Sequence, residues 1–134
     1  MWRGACALAA CTLAFSALGQ ADRCAGERGS LRAQAGRYTV NFRAVPPPAV
    51  GSHFALVFSV CGSSGAANPE SVTVDARMPS HGHGMNYRPT VTALGDGRYR
   101  AEGLMFHMLG EWELTFIVQD AGASERITHT FALR

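Results

Sequence analysis

The chain has 134 residues, 47 % of them hydrophobic, and sets twelve basic residues, every one an arginine, against ten acidic ones for a net charge of +2. A near-neutral balance with the signs interspersed excludes a nucleic-acid partner or an anionic-membrane surface, since both need clustered positive charge. The length suits one domain around one core, with no linker or internal repeat to divide it.

Residues 1–21 read as a cleavable export signal. Arg3 supplies the positive start, Ala5–Leu18 is uncharged and apolar, and Ala17-Leu-Gly19 or Gly19-Gln-Ala21 offers a small-residue cleavage site. The apolar run falls short of the roughly 20 residues of a membrane span, and no second run of that length follows. A soluble protein, periplasmic or secreted after cleavage, is therefore expected. Leu8-Ala-Ala-Cys11 resembles a lipoprotein cleavage box, but too little apolar sequence precedes the cysteine, and lipidation at Cys11 is not expected. Cys6 and Cys11 leave with the signal. Cys24 and Cys61 remain, and in an oxidising compartment they most simply form one disulfide. Metal ligation by one thiolate is the competing reading.

Residues 22–36 look like an irregular leader, and a single β-sandwich domain is expected over 37–134. Tyr38–Arg43 alternates as a strand, with Val40 and Phe42 on one face. Pro46-Pro47-Pro48 cannot lie inside a sheet and marks a stiff connection. His53–Cys61 sets Phe54, Leu56, Phe58 and Val60 on one face, and a turn-rich loop covers 62–69. Ser71–Arg77 alternates again. Thr90–Leu94 and Arg98–Glu102 flank Gly95-Asp-Gly97, a hairpin signal. Glu111–Gln119 directs Trp112, Leu114, Phe116 and Val118 inward against Glu111, Glu113 and Thr115, and Glu125–Leu133 closes the chain. About seven short strands with no helical periodicity fit an all-β, immunoglobulin-like β-sandwich; strand order does not follow from the pattern.

Two segments between strands carry the chemistry. Met78-Pro-Ser-His81-Gly-His83-Gly-Met85 holds two imidazoles and two thioethers, and Gly103-Leu-Met105-Phe-His107-Met108-Leu-Gly110 follows downstream. Apart from Met1, every methionine lies between positions 78 and 108, with three of the five histidines. Thioether with imidazole suits copper, Cu(I) above all, better than magnesium or calcium, and imidazole also admits Cu(II). If 81–85 is extended, His81, His83 and Met85 point the same way. A fourth donor would come from His107, Met105 or Met108, and Met78 could join from the strand end. Leu104, Phe106 and Met108 alternate with Met105, His107 and Leu109, and only one of these sets can face inward in a regular strand. His53 and His129 read as isolated strand histidines, and Trp112 as a core anchor rather than a stacking platform.

The order Met-Pro-x-His-Gly-His-Gly-Met at Met78–Met85, then Gly-Asp-Gly-Arg-Tyr at Gly95–Tyr99, then the Met-rich run ending in Gly-Glu-Trp-Glu-Leu within Met105–Leu114, resembles the YtkA-like domain family, related to FixH-like periplasmic domains. The resemblance covers roughly residues 36–132. It implies an exported immunoglobulin-like sandwich, associated with copper handling or with maturation of copper-containing oxidases, and not an enzyme. It points to His81, His83, Met85, His107 and Met108 as copper ligands. The expected activity is that of an exported copper carrier or chaperone, passing copper by ligand exchange to a copper-accepting membrane or periplasmic protein. The alternative is an interaction module that docks to a membrane complex, such as an oxidase assembly factor, without metal. Enzymatic chemistry leaves little trace: no phosphate-binding glycine loop opens a helix, and no nucleophile triad or hydrolytic zinc set is legible.

Overall fold

The computed structural model describes residues 24–134, so the expected signal at 1–21 and Cys11 lie outside the described residues. The strands are β1 (Leu31–Ala35), β2 (Tyr38–Val45), β3 (His53–Gly62), β4 (Gly65–Ala66), β5 (Ser71–Met78), β6 (His83–Gly84), β7 (Thr90–Gly95), β8 (Arg98–Met105), β9 (Gly110–Asp120) and β10 (Ala123–Leu133). They form two antiparallel sheets, one ordered β1-β2-β3-β8-β7 with β4 beside β3, the other β10-β9-β5-β6. This is a β-sandwich, as the alternating pattern implies. It has ten strands rather than about seven, because β4 and β6 are two-residue pieces and β1 forms inside the segment expected to be an irregular leader. Leu31-Arg-Ala-Gln-Ala35 has too little apolar bulk to announce a strand. It is held by the tight turn at Gly36-Arg37, which registers Ala35 against Tyr38 and Leu31 against Phe42.

The interior is filled from both sheets. Phe42 and Phe58 each lie against Phe116, with ring centroids 5.2 and 5.1 Å apart, and Phe54 meets Phe106 at 4.9 Å. Trp112, Leu114, Phe116 and Val118 are all fully buried, as their alternation predicts. Thr115, expected to face solvent, is also buried, because the Arg126 side chain lies over it and donates a hydrogen bond to its hydroxyl at 3.4 Å.

The two ends of the sandwich are built differently. At one end the Cys24–Cys61 disulfide ties the segment before β1 to the end of β3, and Asn41 Nδ2 donates to the Cys24 carbonyl at 2.9 Å. Nearby, Tyr38 donates its hydroxyl proton to Asp120 at 2.7 Å, Arg37 pairs with Asp120 at 3.1 Å, and the Arg37 backbone N–H donates to Glu125 at 3.1 Å. These contacts join the β1–β2 turn to the β9–β10 turn. The disulfide removes Cys61 from the candidate metal ligands.

At the other end the sheet register breaks. Phe54 opposes Leu104, but Leu56 opposes Ala101, so Ala55 faces both Glu102 and Gly103. This is a β-bulge, and Gly103 takes a φ of +87° to make it, a conformation open to glycine at no steric cost. The extra residue shifts the alternation by one. Ala101, Leu104 and Phe106 are buried, while Met105 and His107 are only partly so.

Reducing the disulfide, or making Cys24→Ser with Cys61→Ser, should lower the unfolding free energy by about 3–4 kcal/mol on the chain-entropy account, read as a drop in the urea midpoint. His129 provides a pH-dependent test. It stands on the inner side of β10 between Phe42 at 5.0 Å and Phe131 at 5.2 Å, and burial lowers its pKa below the ordinary 6.5. The unfolded chain therefore takes up this proton first. Above about pH 6.5 the residue is neutral in both states; below it stability falls, levelling off once the folded pKa is passed. His129→Gln should remove this part of the acid sensitivity in urea titrations from pH 8 to 5, and an unchanged profile would refute the assignment.

Candidate functional site

The donor-rich segments meet at the bulged end, where β5 stops and β9 starts. After Met78 the chain reverses at once: the backbone N–H groups of His81 and Gly82 both donate to the Met78 carbonyl, at 3.2 and 3.0 Å. Gly82 closes this turn with a φ of +68°. The chain returns as β6, with His83 opposite Met78 and Gly84 opposite Arg77. Opposed side chains share a face, so His83 stands on the inner side of its sheet beside Met78. The β5–β9 register ends with Arg77 against Glu113, which brings Trp112 next to Met78 in the same row.

The connection between β8 and β9 crosses above this row from the other sheet. The indole of Trp112 is fully buried. The Phe106 ring stacks on it at 4.8 Å with planes 14° apart, and the His107 ring meets it edge-on at 5.2 Å. Trp112 Nε1 donates to the Met108 carbonyl at 3.0 Å. From the far side the Gly51 N–H donates to the Phe106 carbonyl at 2.8 Å, so the proline-rich connection after β2 braces the same segment.

Three imidazoles converge on this floor. The His83 and His107 rings lie nearly parallel, 5.1 Å apart and inclined by 29°, and the His81 ring is 5.6 Å from that of His83. His81 is exposed; His83 and His107 are half-buried. Nδ1 of His107 is buried without a hydrogen-bond partner, the one such side-chain nitrogen or oxygen identified among the described residues. An unpaired buried polar atom costs about 1–3 kcal/mol, and folded proteins rarely keep one without a use.

The thioethers come from the same chain segments. Met85 and Met108 are half-buried and pack against the core, whereas Met78 is buried at 1 % exposure. The Met78 methyl lies 2.7 Å from where a Cβ on Gly110 would stand, so Met78 fills the core beneath the imidazoles. Met105 is not in a loop, as expected from sequence, but ends β8, opposite His53. Residues 81–85 are not one extended run, because the turn on the Met78 carbonyl separates His81 from the short β6. His53 reads as isolated in the sequence, and only the β3–β8 pairing reveals its neighbour.

Among the described residues no group of three or more His, Cys, Asp and Glu side chains is placed to hold a metal ion. A zinc-type set of imidazole with carboxylate or thiolate is thus not assembled there. What the fold does bring to this end is three imidazoles, with thioethers on the same segments, and a ring nitrogen, Nδ1 of His107, that has no hydrogen-bond partner among the described residues. That donor chemistry fits a soft monovalent ion.

Among known families, the model of the YtkA-like family aligns with residues 32–116. No curated protein and no solved structure matches significantly. The matched span contains β2 to β8, both donor-rich segments and Trp112.

Gly110 tests how tightly the floor is built. Its φ is +122° and its missing Cβ leaves room for Met78. Gly110→Ala should destabilise the protein by about 1–3 kcal/mol through backbone strain and displacement of Met78, measured by urea unfolding. A change within a few tenths of a kcal/mol would show that this end of the sandwich is loosely packed.

Proposed function

The chain belongs to the YtkA-like family, and from that premise we propose that it is an exported copper-binding protein, a carrier or chaperone for which Cu(I) is the cargo. The observation that carries this reading is the buried Nδ1 of His107, unpartnered among the described residues, on a ring stacked against that of His83. A soft monovalent ion would supply the partner that this nitrogen lacks. His83 and His107 would bind it, with Met85 and Met108 as the nearby thioethers, and the Phe106–Trp112 stack would keep water from beneath. His81, exposed at the mouth, would receive the ion and yield it to an acceptor by ligand exchange. The acceptor would be a membrane or periplasmic copper protein. The Cys24–Cys61 disulfide is compatible with an oxidising compartment outside the cytoplasm. Nothing in this arrangement requires catalysis, and the proposed role is binding and transfer.

The second reading, an interaction module that docks to a membrane complex without metal, draws support from Leu109. Its side chain is 61 % exposed, directly after Met108 at the same end of the molecule.

Competition for Cu(I) against a chromophoric chelator under anaerobic conditions separates the two. The wild type should withdraw copper from the competitor, and His83→Ala/His107→Ala should weaken binding by about 100-fold or more, beyond what loss of an outer-shell contact costs. Failure of the wild type to compete would overturn the copper reading in favour of docking. Equal competition by the double variant would overturn the ligand assignment.

A further inference from the structure

His53 and Met105 lie outside the cluster around Trp112. They are directly opposed in the antiparallel β3–β8 pair, which puts their Cβ atoms about 4.5–5.5 Å apart on one face of the sheet. That face is the outer one, because Phe54 and Leu104, the next pair along, are both buried in the core. The bulge at Gly103 is responsible. In an unbroken alternation from Ala101, position 105 would point inward and Met105 would be core filler. His53 is exposed and Met105 half-buried. Tyr87, on the segment leading into β7, sets its ring edge-on to His53 at 5.1 Å and 68°. In the sheet β8 lies between β3 and β7, so Tyr87 reaches His53 across the strand that carries Met105.

We propose that His53 and Met105 form a second soft-metal site, binding one Cu(I) between an imidazole nitrogen and a thioether sulfur beneath the ring of Tyr87. Two donors of this kind suit a soft monovalent ion, and neither residue has a structural duty that binding would disturb. The site stands independently of the His83–His107 reading, since it shares no ligand with it.

The test is titration of the disulfide-bonded protein with Ag(I), a soft ion without redox chemistry, followed by NMR of the methionine methyl and histidine ring signals. The Met105 methyl and the His53 ring should shift together along one binding curve. His53→Gln should weaken the response of Met105 by about tenfold or more, as expected when one ligand of a shared ion is removed, and Met105→Leu should do the same to His53. Both substitutions are at the surface or conserve volume, so an unchanged amide spectrum will certify the fold. A Met105 methyl that stays fixed in excess Ag(I), or that responds equally in His53→Gln, would overturn the proposal. The Met85 and Met108 methyls report the other site separately: their silence alongside a coupled His53–Met105 response would overturn that assignment and support this one.

Discussion

A buried indole carries one hydrogen-bond donor that water cannot reach, and it must be satisfied from within the fold. In this protein Trp112 Nε1 is satisfied by the Met108 carbonyl, and much of the donor-bearing end follows from that bond. It fixes the connection between β8 and β9 at a point where the chain is changing sheets. With Phe106 stacked on the indole and its carbonyl held by Gly51, His107 has little freedom left and is turned toward His83. The turn after β5 works from the opposite side. The Met78 carbonyl takes two N–H groups and so brings the histidine-bearing segment back against its own strand. Two local devices, one at the start of β9 and one at the end of the adjacent β5, thus bring distant parts of the chain into ring contact.

Much of this was legible in the sequence, and the rest was not for identifiable reasons. Strict alternation in His53–Cys61 and Glu111–Gln119 marks two central strands, because a half-buried strand must place apolar groups every second residue. The donor segments stand out by composition. The alternation rule leaves Met105, His107 and Met108 undecided between core and surface, since one added residue reverses it. Gly103 makes that reversal in β8, and a glycine alone does not announce a bulge. His53 could not be assigned a neighbour without knowing that β3 pairs with β8, a contact between strands distant in sequence. Trp112 proves to be both core anchor and platform, a combination that the single-role reading of a buried tryptophan does not anticipate.

The molecule divides its stabilising interactions by pole. The end with the β1–β2 and β9–β10 turns is held by a disulfide, two arginine–carboxylate pairs and a tyrosine hydroxyl, with burial first and the Asp120 hydrogen bond second raising the Tyr38 pKa above its usual 10.0. The opposite end combines aromatic packing, an indole hydrogen bond and glycines in special conformations with the exposed Arg77–Glu113 pair at 3.0 Å.

The Cys24–Cys61 linkage also has a chemical consequence for a carrier of the kind proposed. Thiolate sulfur is anionic and would compete with any thioether for monovalent copper. Oxidation converts both candidate thiolates into a bond with no charge to offer. Cys61 also sits at the far end of β3 from His53, about 26 Å away at ordinary strand rise. In the proposed role the cargo would meet only neutral imidazole and thioether ligands, whereas the reduced chain would also offer it two competing thiolates.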